Sequence, residues 1–137
     1  MYPGQYALTN PDRPAFIMAG SGLTVSYAQF EARSNQLAHF LRSQDLQLQD
    51  HYSIFMENNE RYMESCAAGE RAGLYYTCIN SYLTGDELAY IVNNSESKVL
   101  ITSKSKIDVV VDALASCPNI QMVLVTDGGD VDLPKGM

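Results

Sequence analysis

The sequence predicts an α/β protein with an open, mostly parallel sheet, helices on both faces of that sheet and a β-hairpin before it. Three observations predict this class. Short apolar runs alternate with segments of helical periodicity through most of the chain. The strand-like runs are apolar throughout, as in strands buried on both faces. Two sequences of the S/T-x-x-E/Q type mark helix starts between strands. This order favours a parallel sheet covered by helices.

The first elements are a hairpin and a helix. Two apolar runs, 15–18 and 23–25, flank a small-residue turn, which predicts the hairpin. Ser26 and Gln29 have the spacing of a capping box, in which each side chain bonds the backbone N–H of the other residue. The helix that follows has one largely apolar face, formed by Tyr27, Phe30, Ser34, Leu37, Ala38 and Leu41.

The remaining elements alternate. Strands are predicted at 52–56, 74–79, 98–102 and 122–126. A helix is predicted over 60–72, with Met63, Cys66, Ala67 and Glu70 on one face and Gly73 at its end. Thr84 and Glu87 predict a second capped helix, and Ile107, Val110, Val111 and Leu114 mark a third. We expect residues 1–126 to form an α/β subdomain and residues 127–137 to be a loop or an artificial chain end.

Composition narrows the function classes. The 137 residues are 46% hydrophobic, which is enough for a substantial core. The net charge of -7 disfavours a nucleic-acid partner. Cys66, Cys78 and Cys117 are far apart among apolar residues and are interpreted as reduced core residues. No signal peptide or transmembrane segment is recognisable, so a cytoplasmic protein is expected.

Six stretches of the chain, in order, resemble one known family. They are 10–16, 24–38, 54–59, 67–73, 79–91 and 97–102. Together they are similar to the opening of the adenylate-forming, AMP-binding acyl-CoA synthetases. The version at 75–83, YYTCINSYL, resembles a bacterial fatty acid-CoA ligase more than a peptide-synthetase adenylation module. The resemblance covers the chain up to about Thr126, and we expect the chain to be an incomplete, amino-terminal part of the large domain.

The resemblance implies a two-step reaction that uses ATP, Mg²⁺ and coenzyme A. A fatty acid carboxylate attacks the α-phosphate of ATP to give an acyl-adenylate, and coenzyme A then displaces AMP. In this family the phosphate loop, the acidic residue for Mg²⁺ and the catalytic lysine come after the segment present here. No catalytic, cofactor-binding or metal-binding residue is therefore assigned in this chain. We expect the chain alone to be inactive and to bind none of these cofactors.

Several short motifs have a simpler structural interpretation. Segment 102–106, TSKSK, carries hydroxyls and cations but no glycine, and an N-capped helix start is preferred over a phosphate loop. Asp127, Asp130 and Asp132 lack the spacing of a calcium loop and predict a solvated acidic turn. His39 and His51 have no Cys or second His at ligand spacing, which disfavours a metal site.

The weak candidates for substrate binding are Asn58, Asn80 and Tyr82. Both asparagines follow predicted parallel strands, at the edge where open α/β sheets bind ligands. Strand-end turns are the preferred interpretation for these asparagines and for Asn59. Tyr82, with Tyr75 and Tyr76, could line an acyl or nucleotide pocket, although core and rim packing is the preferred interpretation.

Two alternatives remain open. The protein could be a fatty acyl-AMP ligase or another adenylate former, which coenzyme A dependence would separate from a ligase. It could also be a non-catalytic α/β module that binds a ligand or partner. Because the predicted series of strands looks unfinished, we expect the chain to pair with a copy of itself through an open sheet edge or to leave part of itself disordered.

Overall fold

The computed structural model describes residues 3–128 and Leu133. The chain divides into two compact units. The first unit comprises Met1–Leu48 and Asn59–Leu74, and the second comprises Gln49–Asn58 and Tyr75–Met137. The predicted subdomain 1–126 spans parts of both, and its end at residue 126 stays a prediction.

The first unit begins with a short helix that sequence reasoning missed. Helix α1 (Gly4–Thr9) has no buried residue, and Leu8 is 87% exposed. Tyr6 stacks on Tyr27, with ring centroids 5.2 Å apart. A six-residue helix without a buried apolar face leaves no periodic signal in the sequence.

The hairpin and the helix after it are confirmed. Strand β1 (Pro14–Ile17) pairs antiparallel with β2 (Thr24–Ser26). Helix α2 (Tyr27–Ser43) starts at the predicted capping box: the Ser26 hydroxyl accepts from the Gln29 N–H at 3.2 Å, and Gln29 Oε1 accepts from the Ser26 N–H at 3.0 Å. The buried face of α2 consists of Phe30, Ser34, Ala38 and Leu41.

Helix α3 (Glu60–Ala72) has the predicted bounds, but its buried face differs from the prediction. Met63 is 51% exposed and Glu70 is also exposed. The buried residues are instead Glu64, Ser65, Ala67, Ala68 and Gly69. Of the predicted face only Ala67 is buried, because small residues of α3 and the Glu64 carboxylate face the interior in place of the larger side chains.

Glu64 is buried because two arginines bind it. Arg33 Nη1 lies 3.0 Å from Glu64 Oε1, and Arg61 Nη1 lies 2.9 Å from Glu64 Oε2. The Glu64 side chain is 6% exposed, while the two arginine side chains are 35% and 39% exposed. A carboxylate that is removed from water needs such charge-assisted hydrogen bonds.

The second unit contains a four-stranded parallel sheet. Its strands are β3 (His51–Phe55), β4 (Tyr75–Cys78), β5 (Val99–Thr102) and β6 (Met122–Val125). They lie in the order β4-β3-β5-β6, and every neighbouring pair is parallel. Helix α4 (Gly85–Asn94) connects β4 to β5, and α5 (Ile107–Leu114) connects β5 to β6. The parallel sheet with its flanking helices and the antiparallel hairpin confirms the predicted fold class.

Helix α4 begins at the second predicted capping box, which is confirmed. Glu87 Oε2 accepts from the Thr84 N–H and from the Thr84 hydroxyl, each at 2.9 Å. A carboxylate in the first turn of a helix satisfies a backbone donor that has no partner within the helix.

An apolar core joins α4 and α5 to one face of this sheet. Its members include Phe55 and Leu100 from the strands and Leu88 and Val110 from the helices. All four residues of β5 are buried, as the continuous apolar run predicted. Because all four strands are parallel, their carboxyl ends lie at one edge of the sheet.

The three cysteines do not all lie in a core. Cys117 is buried, as predicted, whereas Cys66 is partly exposed and Cys78 is exposed. The prediction was wrong for Cys78 because it ends an outer strand of the sheet, where an apolar sequence context does not guarantee cover.

Candidate functional site

The strand order defines a topological switch point between β3 and β5. The chain runs from β3 to β4 on one side and then crosses to β5 on the other, so the connections diverge from the ends of β3 and β5. Open α/β sheets bind ligands in the crevice beyond the carboxyl ends of strands at such a point. The residues that follow β3 and β5 therefore form the candidate site.

A carboxylate links the two strand ends. Glu57 Oε2 accepts a hydrogen bond from the Ser103 hydroxyl at 2.5 Å and another from the Ser105 hydroxyl at 2.7 Å. The two hydroxyl oxygens are 3.0 Å apart. One strand residue adds to the link, since the Thr102 hydroxyl donates to the carbonyl of Phe55 at 2.7 Å. The loops after β3 and β5 are thus held together at the switch point.

The TSKSK segment does not present a phosphate cradle. Its two serine hydroxyls bond Glu57, and the Lys104 N–H donates to Asp127 Oδ1 at 2.7 Å. A 3₁₀ turn, Lys104–Lys106, starts after Ser103, so a helical start is present as preferred. The expected cap is not made, because the Ser103 side chain bonds Glu57 and not the backbone of this turn.

The candidates Asn80 and Tyr82 are brought together after β4. Asn80 Oδ1 accepts from the Tyr82 N–H at 3.1 Å, a turn-type hydrogen bond. The Tyr82 ring is 89% exposed, and Lys106 Nζ lies 5.4 Å from its centroid, within range of a cation–π contact. Lys106 therefore connects the loop after β5 to the loop after β4.

Asn58 is exposed and lies in the loop after β3, directly beyond Glu57. A role for Asn58, Asn80 or Tyr82 in substrate binding stays a prediction. Two other tyrosines make aromatic contacts within the sheet: Tyr75 lies edge-on to His51 at 5.2 Å, and Tyr76 lies 6.0 Å from the Tyr52 ring.

Sequence reasoning missed Glu57, Ser105 and Lys106 as members of this edge. A polar residue directly after a buried strand was the available signal, and it was applied to the asparagines only. The partners of Glu57 could not be identified because they lie after β5, and the adjacency of β3 and β5 follows from the strand order.

Two ionisable groups have shifted pKa values. Hydrogen bonds from the Thr84 backbone N–H and hydroxyl lower the pKa of Glu87. Burial raises the pKa of the Cys117 thiol, which favours the neutral form of this core residue. Neither group lies at the switch point: Glu87 caps α4, and Cys117 is part of the core.

Metal ligands do not cluster in the part of the chain that the structure describes, where no three His, Cys, Asp or Glu side chains are grouped to hold an ion. Asp127 bonds the backbone of Lys104, while Asp130 and Asp132 lie outside the described residues. His51 Nδ1 lies 2.5 Å from the Ser95 carbonyl oxygen. Within the same residues, none of the helices combines the length and apolarity required to span a bilayer.

These features, an open parallel sheet with a polar switch point between β3 and β5, define an α/β protein of the class that binds ligands at the carboxyl ends of its strands. A family model described as "AMP-binding enzyme" matches residues 5–136, so the chain belongs to the AMP-binding enzyme family.

Curated relatives agree with this family. The chain is 36% identical over 123 residues to a 3-oxocholest-4-en-26-oate–CoA ligase of Rhodococcus rhodochrous, covering 89% of this chain and 22% of that protein. It is 32% identical over 123 residues to a medium/long-chain-fatty-acid–CoA/3-oxocholest-4-en-26-oate–CoA ligase of Mycobacterium tuberculosis, again covering 89% of this chain and 22% of the relative. The chain thus spans about a fifth of the length of these relatives.

A solved structure shares the fold. A fatty acyl CoA synthetase of Mycobacterium tuberculosis superposes with a TM-score of 0.82 at 21% identity, over 98% of this chain and 29% of that one.

Proposed function

We propose that this chain is part of an ATP-dependent fatty acid–CoA ligase. The observation that carries the proposal is the match of residues 5–136 to the AMP-binding family, together with 36% identity to a CoA ligase across 89% of the chain. In the proposed reaction the acid carboxylate attacks the α-phosphate of ATP and releases pyrophosphate. The coenzyme A thiol then attacks the acyl carbon, AMP leaves, and a thioester is formed.

The substrate is proposed to be a long, apolar carboxylic acid. The two curated relatives are described as acting on fatty acids or on the side-chain carboxylate of a steroid. Both kinds of substrate carry a carboxylate on an extended hydrocarbon body. The fatty acid is our first choice, and the steroid acid is the competing substrate that the assay separates.

The loop after β5 gives no support for a role of this chain in binding ATP. Ser103 and Ser105 donate their hydroxyls to Glu57, and the Lys104 N–H donates to Asp127, so these groups are already bonded within the protein. No acidic cluster among the described residues fits a divalent cation. We therefore propose no catalytic role for the residues of this chain and expect it to be inactive by itself.

The sheet edge formed by the carboxyl ends of the parallel strands is proposed to contact the substrate in the whole enzyme. Asn58, Asn80 and Tyr82 lie in the loops after β3 and β4, and Tyr82 offers an exposed ring for an apolar or aromatic group. In the whole enzyme we expect Tyr82→Ala to raise KM for at least one of the three substrates, the acid, ATP or coenzyme A, with little change in kcat. Equal kinetic constants for the variant and the parent would remove Tyr82 from the site.

A cytoplasmic location is proposed, because ATP and coenzyme A are supplied there. We also propose that the 137-residue chain associates with a second copy. Among the described residues β6 pairs with β5 alone, so one side of its backbone can add a strand. Light scattering should give a mass above that of the monomer, and a compact monomer at high concentration would contradict this proposal.

The test of function is AMP release, measured with this chain and with the product of the complete reading frame that contains it. The reactions hold ATP, Mg²⁺, coenzyme A and either a fatty acid series or a steroid acid. Turnover by the longer protein alone, dependent on coenzyme A, is the expected result. Acyl-adenylate formation without thioester would identify an acyl-AMP ligase, and ligand binding without any turnover would favour a binding module.

A further inference from the structure

A pocket on the first unit carries a set of side chains that the proposed ligase reaction does not use. Its volume is about 490 Å³, within the usual range for small-molecule sites. Its walls come from the second half of α2, the end of α3 and one residue between them: Asn35, Ala38, His39, Arg42, Leu48, Arg71 and Ala72.

One wall is a stripe of polar side chains on α2. Asn35, His39 and Arg42 are separated by four and three residues, so they lie above one another on the same face of the helix. Ala38 also lines the pocket beside them. The stripe offers an amide, an imidazole and a guanidinium in one direction.

The other wall contains a fixed arginine. The Arg71 guanidinium forms an ion pair with the Glu31 carboxylate, and the Arg71 side chain is only 16% exposed. Glu31 does not line the pocket. Glu31 compensates the charge of this guanidinium, but a guanidinium that is held by a partner can still offer N–H donors to a ligand with little further loss of side-chain entropy.

The apolar part of the pocket is made by Leu48 next to Gly73. A Cβ atom on Gly73 would lie 2.4 Å from Leu48 Cδ1, so glycine at this position allows Leu48 to approach the end of α3. Leu48 is nevertheless 67% exposed, which leaves it available to contact a ligand. Ala72 adds a second small apolar surface.

The charge of the pocket selects the ligand class. Arg42 and Arg71 lie in the last turns of α2 and α3, where a cation also compensates the helix dipole. The lining includes the Arg42 guanidinium, the Arg71 guanidinium that Glu31 pairs, the His39 imidazole and no carboxylate, although the whole chain has a net charge of -7. A guanidinium matches the geometry of a phosphate, and the apolar wall suits an organic body.

We propose that this pocket binds a small organic phosphate. The phosphate group contacts Arg42, His39 and Asn35, and the organic body lies against Leu48 and Ala72. This site is independent of the ligase reaction proposed above, and it requires neither ATP turnover nor coenzyme A.

The probe for this proposal is phenyl phosphate, titrated into the ¹⁵N-labelled 137-residue chain. We expect saturable shifts of the amides of Asn35, His39, Leu48 and Gly73. Arg42→Gln should weaken binding by about tenfold, because it removes a charge-assisted hydrogen bond. Arg13→Gln is the matched control: Arg13 is an exposed arginine of the same unit that does not line the pocket, and its loss should leave the affinity unchanged.

A steric variant separates a pocket from general charge attraction. Ala72→Leu keeps every charge but places a larger side chain in the pocket. It should abolish the saturable shifts, while the rest of the amide spectrum remains that of the folded protein. The proposal is overturned if phenyl phosphate gives no saturable shift, or if Arg42→Gln and Arg13→Gln weaken binding equally. It is also overturned if benzoate binds more tightly than phenyl phosphate, since the site would then select a carboxylate.

Discussion

The Ser103 hydroxyl donates a hydrogen bond to the Glu57 carboxylate across 2.5 Å, which joins the end of β5 to the end of β3. The two residues are separated by 46 positions in the sequence. Because a carboxylate accepts more strongly than a neutral oxygen, this is among the stronger hydrogen bonds available to a loop. It fixes the separation of the two loops at the switch point, where the fold class places ligands.

A double-mutant cycle tests this relationship. Glu57→Gln and Ser103→Ala should each destabilise the chain, and the coupling between them should be about 1–2 kcal/mol in urea unfolding. A parallel cycle of Glu57→Gln with Ser116→Ala should be additive, because Ser116 is an exposed residue after α5. Additivity in both cycles would show that the Glu57–Ser103 bond does not contribute to stability.

The burial of Glu64 gives a second prediction. Glu64→Gln removes the charge that Arg33 and Arg61 bind and should cost about 1–2 kcal/mol. The cost is below that of a fully buried ion pair because both arginines remain more than a third exposed and regain water. Thermal or urea unfolding measures it. The same substitution at the exposed Glu96 should change stability by less than about 0.5 kcal/mol, and an equal loss at both positions would contradict this assignment.

Glu64 also shows where sequence reasoning failed. The bounds of α3 were predicted, with Gly73 as the signal for its end, whereas Asn59, which was interpreted as a strand-end turn residue, caps its start. The buried face of α3 could not be predicted, because helical spacing does not distinguish Glu64, which is buried, from Glu70, which is exposed. Glu64 is bound by Arg61 and by Arg33, and no local pattern reveals Arg33, which lies 31 residues earlier.

The candidate site, like α3, was predictable only in part from the sequence. The four strands of the parallel sheet were predicted from their own apolar runs, and Asn58, Asn80 and Tyr82 were placed at strand ends from their positions alone. The hydrogen bonds of Glu57 depend on β3 lying beside β5, and the order of the strands along the chain does not determine this neighbourhood. Local chemistry thus predicted the elements and the edge, whereas the contacts across that edge required the topology.

Gly73 provides a third prediction. Its φ of 69° ends α3 in the left-handed region, and an added Cβ would also meet Leu48 at 2.4 Å. Gly73→Ala should therefore cost about 1 kcal/mol as backbone strain, because the Leu48 atom that the new methyl group meets is the end of an exposed, flexible side chain that can move aside. In a Leu48→Ala background the cost of Gly73→Ala should stay the same within about 0.5 kcal/mol, as measured by urea unfolding. A clearly lower cost in that background would show that Leu48 cannot move aside freely.

The capping box of α4 gives a prediction of pH dependence. Hydrogen bonds from the Thr84 backbone N–H, and then from its hydroxyl, lower the pKa of Glu87 in the folded state. A lowered folded-state pKa means that this stabilisation is complete above the unfolded value of about 4.3 and is lost as the pH falls through the folded value. The difference in unfolding free energy between the parent chain and Glu87→Gln should thus stay constant from about pH 6 to 8 and shrink in acid.

Nuclear magnetic resonance measures the same shift directly at the carboxyl carbon of Glu87. Its titration midpoint should lie below the ordinary glutamate value of about 4.3. Thr84→Ala should raise the midpoint only part of the way, because the backbone N–H, which is the larger cause, remains in place. A midpoint at or above the ordinary value in the parent chain would mean that the Glu87 carboxylate does not cap α4 in solution, and the pH-dependent stability of this helix would then need another titrating group.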